Sequence, residues 1–339
     1  MIEHFNRLKK SKSLTIFITG GSSGIGYQAV LELISLGHKI ILPCKDLSRA
    51  NDVLTSLFNN LPCNLNEKGN IYTPIMDLSD LKSIETLCSV LKKRKLNIDV
   101  LILNAGLQYT GSKTPRRSTQ GIELTFAVNH LSHFYLSQNL LPLINRSKDS
   151  KIIITSSEVH NPMSSGGRVG AKAGLGDLSG LKSLSGFDMV DGSEFNADKA
   201  YKDSKLCNIL FAKELSKRLK QNKSPLQVMA WAPGLVISRD SQGFFRYSRR
   251  YNQLGQILFA FLARDLLKIT TSNEKAGLLL CDLVNLGKYS KSEFHYYSNK
   301  IISSGKFIFE KTNISDEAKN EVLSYQLWEL SDSLISNYN

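Results

Sequence analysis

Tyr201-Lys202-Asp203-Ser204-Lys205 sets a phenol and an ammonium four residues apart, which on a helix is one face. A free tyrosine, with a pKa of about 10, is a poor acid-base group at neutral pH, and a neighbouring cation stabilises its phenolate and lowers that value. Lys205 is placed to do this for Tyr201. Alone, the pair would read as an ordinary surface Tyr/Lys pair. It is joined by Ser157, which follows an apolar run and can hydrogen-bond a reacting substrate oxygen, and by Asn129, set within an expected helix where a buried amide needs a reason.

A second constellation is suited to holding phosphates. Residues 19–26 read T-G-G-S-S-G-I-G, between an apolar run and a helical pattern. Gly20 permits the tight turn, Gly24 lets a pyrophosphate approach the backbone, Gly26 allows close helix packing, and Ser22, Ser23 and Ile25 complete the loop. At the end of the next strand an acid would grip the ribose of NAD and a base the 2′-phosphate of NADP. Lys45 stands there, with Arg49 or Ser22 in support and Asp46 beside it, and this favours NADPH. Asp77-Leu78 offers a carboxylate to the adenine amine, with a helix N-cap as its competing use. Asn104-Ala105-Gly106 is small enough for a backbone to approach the cofactor.

The elements that must carry these residues alternate. Strands are expected at 14–19, 39–43, 71–75, 100–103, 151–155 and 226–231, and helices at 25–36, 47–58, 81–91, 121–141 and 199–220. The alternation predicts an α/β fold, a doubly wound parallel sheet of Rossmann type in a single domain over 1–339. Residues 14–150 form mainly the dinucleotide-binding half, 151–299 the catalytic and substrate half, and 300–339 a C-terminal extension. Residues 158–197 and 235–272 interrupt the rhythm, and excursions this long in a compact domain are usually functional.

Composition narrows the class. With 339 residues, 42% hydrophobic and 22% charged, the chain can bury a sizeable core. Its net charge of +13 is spread over expected helix faces rather than gathered into a stripe, which argues against nucleic acid as partner. The five cysteines, Cys44, Cys63, Cys88, Cys207 and Cys281, form no C-x-x-C pair, so neither a disulfide framework nor a metal site is expected, and a reducing, cytoplasmic setting is. The first residues lack the apolar run of a signal peptide, and the apolar stretch 257–263 is cut by Arg264 and Asp265, far short of the roughly 20 residues a membrane span needs. Peripheral membrane contact through 235–272 remains an expectation, because Phe244, Phe245, Tyr247 and Tyr251 alternate with Arg246, Arg249 and Arg250. A lid over the substrate cleft is the competing reading of the same segment.

T-G-x-x-x-G-I-G, N-A-G, the helix asparagine, the strand-end serine and Y-x-x-x-K stand in the order of the short-chain dehydrogenase/reductase family, which the first 235 or so residues resemble. The resemblance implies that Tyr201 donates the proton, that Lys205 binds the nicotinamide ribose and tunes the tyrosine, that Ser157 orients the substrate and that Asn129 holds a relay water. Pro233 and Gly234 would touch the cofactor. His130 and His133, beside Asn129, are read as helix packing rather than as metal ligands, since no acid or cysteine cluster completes such a site.

Ser157 and Tyr201 are 44 positions apart, whereas many family members separate them by about a dozen residues. Within and around this insertion H-N-P at 160–162, L-G-D-L at 175–178, M-V-D-G at 189–192 and K-A-Y-K-D-S-K at 199–205 look like light-dependent protochlorophyllide reductases. So, weakly, do H-Y-Y-S-N at 295–299 and L-W-E-L at 327–330. The resemblance implies NADPH and a bulky hydrophobic substrate, a tetrapyrrole or similar, reduced at a C=C bond. The chain departs from it after the sixth strand, where A-P-G-L stands for Y-P-G-C: Ala232 and Leu235 remove a phenol and a thiol from the expected substrate pocket, and Cys207 matches a different family cysteine. Residues 204–219 also look like retinol-dehydrogenase-type relatives, which act on lipophilic alcohols and carbonyls without light. A third possibility is a cofactor- or pigment-binding protein without turnover, against which the intact Tyr201, Lys205, Ser157 and Asn129 argue. Oligomeric state and reaction direction have no signal in the sequence.

Overall fold

The computed structural model describes residues 12–61, 70–147, 149–237, 245–286 and 294–338. Their central strands are short runs of apolar, mostly β-branched residues buried on both faces, as parallel strands between two helical layers must be. β1 (Thr15–Ile18), β2 (Lys39–Ile41), β3 (Ile71–Tyr72), β4 (Val100–Leu103), β5 (Lys151–Thr155), β6 (Gln227–Ala232), β7 (His295–Ser303) and β8 (Lys306–Lys311) form one sheet in the order 3-2-1-4-5-6-7-8. All pairings are parallel except β7 with β8. The two-residue alternation sends Ile16, Ile18, Ile102 and Ile153 into the core on one face, and Phe17, Leu101, Leu103, Ile152 and Ile154 into the other.

The helices cover these faces: α1 (Gly24–Ser35), α2 (Leu47–Asn60), α3 (Leu81–Lys93), α4 (Leu124–Phe126), α5 (Ser132–Leu140), the short α6 (Ser179–Lys182) and α7 (Ala197–Gln221). They are followed by α8 (Arg246–Tyr251), α9 (Gln253–Ala260), α10 (Asn273–Asn285), α11 (Asp316–Lys319) and α12 (Glu321–Ser336). The 25-residue α7 has Asn196 as its cap, accepting from the Asp198 and Lys199 amides, with Asp198 in its first turn and Arg218 and Lys220 in its last, as the helix dipole favours.

Three segments take a more specific form than their sequence pattern gives. The helix expected at 121–141 is broken by a π-helical turn, Ala127–Leu131, which holds Asn129; such turns widen a helix to present a particular group. The segment from Lys300 onward supplies the second half of β7, all of β8, and α12, which packs on α7. The 158–197 excursion is mostly irregular, yet Leu175, Leu178 and Leu181 are fully buried in the core.

Candidate active site

In an open α/β sheet the ligand crevice lies beyond the carboxyl ends of the strands where their order reverses, here between β1 and β4. A cleft of about 1000 Å³ opens at that point and is lined by residues of the glycine loop, Lys45, Asp77, Leu78, the N-A-G segment, Ser157, Tyr201 and Lys205. Pro233, Gly234 and Leu235 form part of its wall.

The glycine loop fits a pyrophosphate. A Cβ on Gly26 would stand 2.3 Å from the Gly20 carbonyl oxygen, whereas one on Gly24, at φ +57°, would meet only Asn273 Oδ1 at 3.7 Å, so the loop is tight behind and open in front. Ser23 occupies the N-cap of α1 without making a side-chain cap, which leaves first-turn amides available to an anion. Behind the loop, Thr19 Oγ1 accepts from the Asn104 and Ala105 amides at 2.9 and 3.0 Å and lies 2.9 Å from His133 Nε2. His133 Nδ1 is 3.2 Å from the Asn129 carbonyl oxygen and must carry the proton there, so Nε2 accepts from Thr19. Burial and the charge of Lys205 push His133 down to about 3, which keeps it neutral for this role. The sequence marks His133 only as a packing residue, since its partner Thr19 is remote in the chain. His130 hydrogen-bonds Ser331, and no group of three or more His, Cys, Asp or Glu capable of holding a metal occurs among the described residues.

At the end of β2, Lys45 Nζ lies 3.0 Å from Asp77 Oδ2. The other Asp77 oxygen accepts from the Ser79 amide and hydroxyl. Burial works against ionisation of Asp77, but the Ser79 and Lys45 contacts outweigh it and hold the carboxyl below its ordinary range. The N-cap alternative for Asp77 is corrected: Asp80 caps α3, accepting from the Lys82 amide.

The acid-base centre sits at the end of β5 and on the first turns of α7. Tyr201 hydrogen-bonds the Ser157 side chain. Lys205, 3% exposed, donates to the Thr155 carbonyl oxygen at 3.2 Å, and its Nζ is 5.7 Å from the centre of the Tyr201 ring. The expectation that Lys205 lowers the tyrosine is corrected for the free protein. Burial raises the phenol, Ser157 is the neighbour that pulls it back, and burial also lowers Lys205 to about 8; removing both groups from water favours the neutral form of each. Tyr201 is therefore a protonated phenol at neutral pH in the free protein. Asn129 is fully buried; its Oδ1 accepts from the Leu107 amide at 2.8 Å, and its Nδ2 donates to the Leu107 carbonyl oxygen and to Ser204 Oγ. Asn129 thus ties the segment after β4 to the catalytic helix.

The two expected pocket residues part company. Leu235 lines the cleft. Ala232 is fully buried in β6 among core side chains and contributes no surface to the cleft, because alternation along the strand turns it into the helical layer.

The 235–272 excursion is described from residue 245 onward, apart from its first three residues; Phe244 lies outside the described residues. Phe245, Arg246, Tyr247 and Arg249 face the cleft, as does Phe259 of α9. Leu254, Ile257, Leu258, Phe261 and Leu266 are instead exposed, Leu254 by 82%. No helix among the described residues is long and apolar enough to cross a membrane. Cys44, Cys88, Cys207 and Cys281 are free and buried, and Cys63 lies outside the described residues.

Comparison with known proteins agrees with this geometry. A family model described as short chain dehydrogenase matches residues 14–178. The chloroplastic protochlorophyllide reductase of Marchantia paleacea is 31% identical over 334 residues, covering 96% of this chain and 69% of the relative. That of Cucumis sativus is 32% identical over 327 residues, covering 95% and 77%. A crystal structure of an uncharacterized protein from Mycobacterium paratuberculosis superposes with a TM-score of 0.66 at 22% identity, over 96% of each chain, and shares the fold. With glycine loop, Asn129, Ser157, Tyr201 and Lys205 gathered at the sheet's switch point, the chain belongs to the short-chain dehydrogenase/reductase family of oxidoreductases, as a divergent member 31% identical to a protochlorophyllide reductase over most of its length.

Proposed function

We propose that the protein is an NADPH-dependent reductase of a bulky apolar substrate, with protochlorophyllide or a similar tetrapyrrole as the first candidate. The observation that carries this reading is the Tyr201 phenol, held by Ser157 at one end of a cleft whose walls include Leu107, Leu124, Val128, Leu235 and Val236. Its likeness to relatives named protochlorophyllide reductase runs through nearly the whole chain. The bound nicotinamide would supply the hydride. Tyr201 would deliver the proton, Ser157 would orient the acceptor, and Lys205 would hold the ribose and stabilise the phenolate that the transfer leaves. Leu235, without a thiol, leaves that wall unable to hydrogen-bond, which supports the second reading, a dark reductase or dehydrogenase of lipophilic carbonyls and alcohols. Incubation with NADPH and protochlorophyllide, with spectra taken in darkness and after illumination, separates the two. A light-driven absorbance change places the protein with the photoenzymes; dark oxidation of NADPH by a lipophilic carbonyl, with no photoreduction, places it with the second group. Pigment binding without turnover in either arm leaves a carrier.

Lys45 is expected to favour NADPH over NADH. It is largely exposed and already shared with Asp77, so its contact with a 2′-phosphate is screened, and Lys45→Ala should weaken NADPH binding about tenfold while sparing NADH. Fluorescence titration of both cofactors checks this, and equal affinities in the parent protein would remove NADPH from the proposal.

The exposed face of residues 254–266 suits an anionic lipid surface, given the net charge of +13 and the flanking Arg250 and Lys268. Co-sedimentation with anionic vesicles is expected at low salt and not with neutral vesicles. A protein that stays in the supernatant with anionic vesicles at low salt has a lid here and no membrane contact.

A further inference from the structure

Three guanidinium groups converge on one phenol, and two of them, Arg116 and Arg246, line the cleft with it. The Arg246 guanidinium carbon is 4.6 Å from the centre of the Tyr247 ring, that of Arg116 is 4.9 Å and that of Arg250 is 5.6 Å. Arg246 Nη2 also donates to the Tyr247 hydroxyl at 3.2 Å. Arg116 comes from the segment between β4 and α4, the other two from α8, so separate parts of the chain meet here. Of the neighbouring cations, Lys45 is paired with Asp77 and Arg117 with Asp188. Among the described residues no carboxylate pairs with Arg116, Arg246 or Arg250. The face of the ring attracts each cation, but it does nothing to relieve the repulsion among three like charges. An incoming anion would.

Position says which anion. Tyr247 and Leu78 both pack against the cluster of Leu107, Tyr109, Leu124, Val128 and Ala197, and Leu78 directly follows Asp77, the partner of Lys45. The segment bearing Arg116 crosses toward the same end, where the Thr119 amide donates to the Ser79 carbonyl oxygen at 3.0 Å. Burial raises the Tyr247 phenol, yet the hydrogen bond from Arg246 and then the charges of Arg246, Arg116 and Lys45 bring it below its ordinary value, so Lys45 is within electrostatic reach of the ring. The cluster therefore stands at the β2/β3 end of the cleft. Tyr201 and Ser157 stand at the β5 end, three strands from β2, or about 14 Å at the usual strand spacing. A substrate acid at the reacting end would not reach it.

We propose that Arg116 and Arg246, gathered on Tyr247, form a phosphate clamp that closes α8 over the adenosine end of the dinucleotide and grips its 2′-phosphate from above. This rests on the NADPH reading and deepens it: the sheet offers Lys45, and the lid offers the rest. α8 leads directly into α9, whose Gln256 and Phe259 line the cleft, so the phosphate that distinguishes the cofactor also seats the lid before substrate enters.

The test uses the full chain. NADPH, NADH, adenosine 2′-monophosphate and adenosine are titrated against the parent protein, Arg116→Ala, Arg246→Ala, Lys45→Ala and the charge-keeping Arg246→Lys. In parallel, trypsin cleavage within α8 is followed with and without each ligand. Arg116→Ala and Arg246→Ala are expected to bind NADPH and adenosine 2′-monophosphate about tenfold more weakly with NADH unchanged, Arg246→Lys to recover part of the loss, and the two 2′-phosphate ligands alone to protect α8. If the parent prefers NADPH and Lys45→Ala loses the preference while both arginine variants keep it, the clamp is wrong and the cofactor reading stands. If the parent binds NADH as tightly as NADPH, both fall. Weakening of NADH and NADPH to the same extent, or equal trypsin protection by adenosine, also overturns the clamp.

Discussion

Replacing Tyr201 with phenylalanine is expected to leave cofactor binding intact and to cut turnover by about 10²- to 10⁴-fold, the usual contribution of a positioned general acid. The ring that packs beside Lys205 survives the change; only the hydroxyl, with its hydrogen bond to Ser157, is lost. The pH profile tests the same centre from the other side. Lys205 is cationic below about 8 in the free protein, because burial has pulled it down from its ordinary value. Its charge is present below that pH and lost above it. Since kcat/KM reports the groups of the free enzyme, kcat/KM should fall on the alkaline side of about pH 8, well before a solvent-exposed lysine would titrate. Titration of NADPH with Tyr201→Phe, beside its turnover on any accepted substrate, checks the first part. An unchanged rate would take Tyr201 out of the chemistry.

Much of this centre was legible because its residues lie on strongly patterned elements. The expected strands 100–103 and 151–155 match β4 and β5 residue for residue, since both faces of each are covered and the apolar run has no ambiguity. Tyr201 and Lys205 needed only the geometry of a helix, and Ser157 only the end of a strand. What stayed hidden depends on contacts between remote segments. The Lys45–Asp77 pair changes what Lys45 has to offer a phosphate, yet joins the ends of two different strands. The burial of Ala232 follows from the face that β6 turns to its helices, and a motif carries no record of that face. β8, K-F-I-F-E-K, is an edge strand with charged ends and only partial burial, so its pattern resembles a solvated tail. The Arg116–Tyr247–Arg246 cluster draws on the β4–α4 connection and on the 235–272 excursion, and neither announces the other.

The insertion before the catalytic tyrosine is held by a buried ionic knot, and Lys199→Ala should unfasten it. Lys199 Nζ lies 2.5 Å from Asp203 Oδ2, 3.0 Å from Asp191 Oδ2 and 2.6 Å from the Gly174 carbonyl oxygen. Asp203, one turn along α7 and 2% exposed at its side chain, accepts from the Gly174 amide with its other oxygen. The helix that carries Tyr201 thereby grips the inserted segment at its middle and near its end. Burial raises Asp203 to about 7 against the pull of Lys199, while Asp203 and Asp191 overcome the burial of Lys199 and raise it. Removing the ammonium leaves a buried carboxyl without its cation, at a cost of about 3 kcal/mol or more, which corresponds to a fall in Tm of roughly 4 °C for a chain of this size. The loss should depend on pH with a definite sign. Without Lys199 the folded-state pKa of Asp203 rises further above its unfolded value, so the folded state must bind a proton that the unfolded state does not, and stability falls as pH rises through that value. In the parent this change is over by a little above pH 7; in the variant it continues beyond. The stability gap between Lys199→Ala and the parent should therefore widen from pH 6 to pH 8. Thermal unfolding at both values decides it: a gap that is constant or narrows with rising pH would mean that Asp203 does not carry the charge that Lys199 is there to hold.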